Sequence, residues 1–198
     1  MIYLARHGQT VWNRVDRRQG RRDSPLTMRG INQARAVGCL LNDLLGETPL
    51  PIISSPLGRA WQTAVIIAET RGTAAGAITH DDRLAEVCYG RWEGLTAAEI
   101  RETDPENWAR RQADRWSIAP PRGESNVDLQ RRVGAWLSEQ DKTRDIIVVG
   151  HGALNRALVG LMADLTPDQT LALPEDQESI FRLSDGFYDI LSANSDMA

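Results

Sequence analysis

The chain has 198 residues, of which 41 % are hydrophobic, 25 % charged and 6 % aromatic, a composition that excludes disordered and fibrous classes and suits one folded domain. A chain of this size buries roughly 70 % of the surface its unfolded form exposes, enough for a core without disulfides or a structural metal. The net charge of −4, an opening MIYLARHG without a leader-like run, no stretch of 18 apolar residues, and two cysteines (Cys39, Cys88) outside any Cys-x-x-Cys spacing predict a cytoplasmic protein with buried free thiols and no membrane segment.

Short apolar runs alternate with longer segments of helical period, which predicts an α/β fold with a mainly parallel sheet and crossover helices. Ile2 to Ala5 reads as a first buried strand, followed by an arginine-rich loop as far as Pro25. Thr27 is a good N-cap for a helix in which Ile31, Ala34, Gly38, Leu41 and Leu45 recur at spacings of three and four before Gly46. Leu50 to Ser54 reads as a second strand. Ser55-Pro56 then supplies an N-cap with proline at the first helical position, so Leu57 to about Glu69 is expected to be helical, with Arg59 in its first turn. Ala77 to Thr79 is a third strand candidate. Residues 86 to 124 change character, with Trp92, Trp108 and Trp116 among Arg, Glu and Pro, as in a helical insertion or lid that the tryptophans pack onto the core. Ser125 is expected to cap a helix to about Ser138, Asp145 to Val149 is the cleanest buried strand, and a helix follows from Leu154 to Met162. Ile180 to Leu183 and Phe187 to Leu191 flank Ser184-Asp185-Gly186, a hairpin at the sheet edge.

Charge is unevenly spread. Within residues 1–35, eight arginines (Arg6, Arg14, Arg17, Arg18, Arg21, Arg22, Arg29, Arg35) face only Asp16 and Asp23, a segment of +6 that leaves −10 for the remainder. Such a chain is a poor coat for nucleic acid, but it could focus a small anion toward one cleft. The alternative for Arg17, Arg18, Arg21 and Arg22 is a solvated loop, since every basic residue except Lys142 is arginine.

Two of the three histidines share one context, an apolar strand followed by His-Gly: IYLARHG with His7 and IIVVGHG with His151. In open parallel sheets, side chains just past the C-terminal ends of strands converge on the ligand crevice, and a glycine there admits close approach of the backbone. Two imidazoles with Glu86 as a third ligand would suit zinc. Arg6 beside His7, however, opposes a dication and suits an oxyanion, which a guanidinium meets bidentately, and a helix N-terminus near Arg59 adds backbone N–H groups. Phosphate is the better ligand.

These residues lie within LARHGQTVWN (Leu4 to Asn13), DSPLTMRGINQA (Asp23 to Ala34), SSPLGRAWQTA (Ser54 to Ala64), LAEVCYGRWEG (Leu84 to Gly94), RGES (Arg122 to Ser125) and VVGHG (Val148 to Gly152). With these six motifs in order, the chain resembles the histidine phosphatase superfamily, its phosphoglycerate mutase-like branch, over nearly its whole length. The resemblance implies a three-layer α/β/α sandwich with a mixed, mostly parallel sheet, as a single domain over residues 1–198 with a helical lid inserted at about 90–121. It implies a phosphohistidine enzyme without cofactor or metal. His7 matches the nucleophile, Arg6, Arg59 and His151 match the pocket for the phosphoryl oxygens, and Glu86 matches the proton donor. Asn13 matches a contact to the transferred phosphate, Gln19, Gly20 and Tyr89 match substrate-contacting positions, and Gly152 follows His151 in the phosphate-binding set. In this reading His151 acts protonated, its pKa raised by phosphate, and burial beside the dianion raises that of Glu86.

Mutases of the family carry a lysine where this chain has Ala97, and their paired arginines match Arg110 and Arg111 only loosely, offset from Pro120 and Pro121. Both departures favour hydrolysis of small phosphorylated metabolites over mutase activity, which stays as the alternative. A non-catalytic phosphate-binding or regulatory module is a further alternative. Glu124 matches a Gly-Glu-Ser motif, while Ser125 with Asp128 reads equally well as a capping box. No nucleic-acid or membrane partner is expected, a homo-oligomer is compatible with the sequence, His80 has no assigned role, and nothing in the lid names a substrate.

Overall fold

The computed structural model describes residues 1–46 and 48–193, the side chain of Ala75 excepted. Six strands form one sheet in the order β3-β2-β4-β1-β5-β6: β1 (Ile2–Arg6), β2 (Ile52–Ser54), β3 (Thr79–His80), β4 (Ile146–Gly150), β5 (Ser179–Ser184) and β6 (Phe187–Ser192). β1 and β2 flank β4 in parallel and β3 continues that set, whereas β5 and β6 run antiparallel from β1 outward. The predicted hairpin is therefore the antiparallel edge of a mixed sheet. Its outer strand is half open, with Phe187 and Ile190 exposed.

Strand alternation sorts the core into two layers. Tyr3, Ala5, Ile147 and Val149 face one side, where helices α2 (Met28–Leu45) and α3 (Gly58–Thr70) supply Val37, Leu41, Ala60, Ala64 and Ile67. Ile2, Leu4, Ile146 and Val148 face the other, covered by α6 (Asn126–Ser138) and α7 (Gly152–Met162) through Leu129, Val133, Trp136, Leu154 and Leu158. This is the expected three-layer sandwich. Between the two helical pairs in sequence, α4 (Ala97–Thr103) and α5 (Pro105–Ala113) occupy the 90–121 segment. Trp92 is buried there, its indole N–H donates to Asp104 at 2.9 Å, and its ring lies 5.9 Å from Trp108, so these two tryptophans pack within the segment.

Several boundaries differ from the sequence reading, each for a local reason. α3 begins at Gly58 rather than Leu57, with Ser55 and Pro56 outside it. The Ser55 backbone N–H still donates to Val149 at 2.9 Å, so the chain is strand-like where the cap was expected. α7 opens at Gly152, two residues early, directly after His151. Inside the arginine-rich loop a short helix, α1 (Val11–Arg14), is held by a capping box in which Thr10 and Asn13 serve each other's backbone. A second unpredicted helix, α8 (Pro167–Ala172), starts on a capping box of Thr166 and Gln169. The caps at Thr27 and Ser125 form as read, the latter with Asp128 as a reciprocal box.

Candidate active site

The C-terminal ends of β1 and β4 place their histidines side by side. Arg6 pairs with Gly150 in register, the His7 N–H continues the ladder to Gly150 at 3.0 Å, and the two imidazole centroids are 5.1 Å apart. Both rings are buried. His7 Nδ1 lies 2.8 Å from the Gly8 carbonyl and Arg59 Nε lies 3.2 Å from His7 Nε2. A carbonyl only accepts and a guanidinium only donates, so His7 carries its proton on Nδ1 and keeps a lone pair on Nε2. Burial first, then the Arg59 and Arg6 charges, holds the His7 pKa well below that of a free imidazole, and a nucleophile requires that neutral form.

Arg59 is almost wholly buried and is fixed on every side. Its Nη1 donates to the Arg22 carbonyl at 2.8 Å and to Asp23 at 3.0 Å, and its Nη2 donates to the Gly20 carbonyl at 2.8 Å. Asp23 also accepts from the backbone N–H groups of Gly58 and Arg59, and so caps α3 in place of the expected Ser55. One carboxylate thereby sets both the helix start and the arginine it presents.

Ser55 instead serves the second histidine. Its hydroxyl meets His151 Nε2 at 2.7 Å, while His151 Nδ1 is buried without a partner among the described residues. Burial, followed by Arg59, His7 and Arg6, pushes the His151 pKa well below the free value. The protonated His151 expected from sequence thus requires an oxyanion against it; the protein alone favours the neutral ring.

Glu86 stands at the start of α7. One oxygen accepts from Val87 and Leu154 N–H at 2.9 and 3.2 Å, the other from Ala153 at 3.3 Å. Its loop is braced from α6: Arg132 donates to the Arg83 and Ala85 carbonyls at 2.6 and 2.9 Å and to both oxygens of Glu124 at 2.9 Å. Glu124 and the Ser125 capping box therefore both hold, and Glu124 acts through Arg132 on the segment that carries Glu86.

Arg6, His7, Asn13, Gln19, Arg59 and Glu86 line one cavity of about 370 Å³, with Gly20, Tyr89 and Ala97 in the same wall. The Asn13 carbonyl oxygen accepts from the Thr10 N–H and hydroxyl, both at 3.1 Å, and from Gln177 at 3.4 Å. Gln19 is buried, with its carbonyl oxygen unpartnered among the described residues. Gly20 serves by its backbone, at φ +54°, where a side chain would overlap Glu93. Gly152 is not in this wall; a β-carbon there would sit 2.7 Å from the Glu175 carboxylate. Glu175, which carries no motif, pairs with Arg156 at 2.5 Å and Arg6 at 3.7 Å, and its carbonyl accepts from Arg6. Sequence reasoning missed it, along with Asp23 and Ser55. Both of these lie inside quoted motifs, but only the fold shows what they hold.

Among the described residues no group of three His, Cys, Asp or Glu side chains is placed to hold a metal ion, and no helix is long and apolar enough to cross a membrane. The pocket's positive groups beside a neutral imidazole can bind a phosphoryl group and stabilise its equatorial charge.

Comparison with known proteins agrees with this chemistry. A profile of the histidine phosphatase superfamily (branch 1) matches residues 2–194. An acid phosphatase of Mycobacterium tuberculosis is 34 % identical over 161 residues, 80 % of this chain and 73 % of that one. A probable phosphoglycerate mutase of Escherichia coli is 39 % identical over 172 residues, 83 % and 75 % of the two chains. The solved structure of a putative alpha-ribazole-5'-P phosphatase from Escherichia coli superposes with a TM-score of 0.83 at 25 % identity, covering 98 % of this chain and 95 % of that one. With phosphatases in both comparisons, the chain is classed as a phosphoric monoester hydrolase. It belongs to branch 1 of the histidine phosphatase superfamily.

Proposed function

We propose that this protein hydrolyses small phosphomonoesters through a phosphohistidine on His7, without a metal, in a single domain whose 90–121 segment acts as a lid. The lone pair of His7 Nε2 attacks phosphorus and the ester P–O bond breaks, while Glu86 gives its proton to the departing alkoxide. Water then loses a proton to the Glu86 carboxylate and attacks phosphorus, the P–N bond breaks, and phosphate leaves with His7 restored. Arg6, Arg59 and His151 compensate the oxygens in both steps. The observation that carries the reading is the fixed tautomer of His7, with Gly8 taking the Nδ1 proton and Arg59 facing Nε2.

Hydrolysis is favoured over phosphoryl return to substrate because Ala97, where the mutases have lysine, lies in the cavity wall. The test is p-nitrophenyl phosphate hydrolysis in excess EDTA by wild type and His7→Ala at pH 5 to 8. Activity that survives chelation and vanishes in the variant is expected. Activity lost only with EDTA would return the metal reading, and interconversion of 3- and 2-phosphoglycerate faster than hydrolysis would return the mutase.

A further inference from the structure

A second cavity of about 170 Å³ opens beside the phosphate pocket and shares Arg18, Tyr89 and Ala153 with it. Its remaining wall includes Trp108, Arg111, Arg115 and Arg156, and no carboxylate. Arg156 is neutralised by Glu175 at 2.5 Å, whereas Arg18, Arg111 and Arg115 form no ion pair among the described residues. The nearby Asp114 is turned instead to the backbone N–H groups of Trp116 and Ser117, at 3.0 and 2.9 Å.

Arg18 is the most informative of the three. Its guanidinium carbon lies 5.1 Å from the Tyr89 ring centre and 5.7 Å from that of Trp108, so cation–π contacts orient it. Its Nε is buried without an acceptor among the described residues. Arg111 is only 7 % exposed and its Nη1 donates to the Arg115 and Ile118 carbonyls, which fixes the side chain without neutralising it. Burial first, and then the Arg18 and Arg115 charges, lower the Arg111 pKa. Arg18 is half-buried and Arg115 exposed, but a buried cation such as Arg111 without an ion-pair partner is costly, and an anion brought by a ligand would relieve that cost.

We infer that the preferred substrate carries a second anionic group, a carboxylate or a further phosphate, on the part of the molecule remote from the reacting phosphoryl, seated by Arg18, Arg111 and Arg115. The inference rests on the phosphomonoester reading of the main pocket, and it makes the leaving group recognisable by charge. A neutral sugar or alcohol would leave the three guanidiniums unpaired.

Binding to His7→Ala protein, measured by calorimetry, separates this claim from catalysis. Two matched pairs of probes cover short and long spacing: 3-phosphoglycerate against glycerol 3-phosphate, and 6-phosphogluconate against glucose 6-phosphate. In at least one pair the doubly anionic member is expected to bind about 10- to 100-fold more tightly, the value of one or two charge-assisted hydrogen bonds. That preference should shrink about tenfold when Arg18→Gln or Arg115→Gln is added, with far-ultraviolet circular dichroism confirming the fold. Equal affinities within both pairs, no binding of any probe, or a preference that survives both substitutions would overturn the inference. Wild-type hydrolysis of p-nitrophenyl phosphate reports separately on the phosphatase reading, so each can fail alone.

Discussion

Replacing Asp23 by alanine removes a single carboxylate that serves three donors: the backbone N–H groups of Gly58 and Arg59 and the Arg59 guanidinium, the last two at 3.2 and 3.0 Å. Loss of the helix cap costs about 1 kcal/mol, and loss of the charged hydrogen bond to Arg59 a further 1.5 kcal/mol or so. The Asp23 side chain is 41 % exposed, so solvent screening trims the second figure and the sum is about 2 kcal/mol. For a chain of this length that corresponds to a fall in Tm of about 4–8 °C. Arg59 keeps the Arg22 and Gly20 carbonyls and stays in place on average, but the helix turn that aims it loosens. A fall of about 10- to 100-fold in kcat/KM for p-nitrophenyl phosphate is expected, since small misplacements near the reacting atoms are expensive. Scanning calorimetry and initial rates on the same preparation measure both. A variant that melts within about a degree of wild type and keeps its full kcat/KM would show that Asp23 neither caps the helix nor holds the arginine.

Three further outcomes are expected. His7 and His151 stay neutral in the folded protein because their pKa values are depressed, whereas unfolded imidazoles titrate near pH 6.5. The unfolded chain therefore binds more protons below that pH, and stability is lost on acidification by up to about 1.4 kcal/mol per pH unit for each ring. Urea melts between pH 5 and 7.5 in phosphate-free buffer measure the slope, and His7→Ala should roughly halve it; an unaltered slope would refute the assignment. Gly90 sits at φ +55°, with a β-carbon there 2.6 Å from the Arg122 backbone, so Gly90→Ala should cost about 2 kcal/mol or more in denaturant unfolding. Arg132→Met removes the brace between Glu124 and the Arg83 and Ala85 carbonyls. It should lower kcat more than it raises KM, with an altered pH profile, because it acts through the placement of Glu86.

The strands and the main helices were legible because their signals are local: β4 is apolar throughout, and Thr27 and Ser125 cap the helices they precede. The paired His-Gly steps likewise pointed to His7 and His151 as neighbours, since parallel strands β1 and β4 end at the same level. What stayed hidden depends on contacts distant in sequence. Asp23 caps a helix 35 residues away, which no local window shows, and Ser55, a natural cap by type, is taken by β4 and by His151. The neutral state of His151 in the ligand-free protein was not legible either, because burial and three neighbouring charges emerge only once the chain is folded. α1 and α8 did carry readable capping pairs, Thr10 with Asn13 and Thr166 with Gln169, but each is too short to show a period.

The ladder that joins β1 to β4, running from Ile2 opposite Ile146 to Arg6 opposite Gly150 and on to the His7 amide, lies at the centre of the sheet. Amides there open only when the whole domain does, whereas short helices such as α4 and α5 open at lower cost. Deuterium should therefore enter residues 97–113 long before residues 2–7. Arg6, His7 and His151 are thus tied to the part of the sheet expected to exchange last, whereas Arg111, one of the three arginines proposed to recognise the rest of the ester, rides on a faster helix. Substitutions that retune the second group can then accumulate without loosening the first.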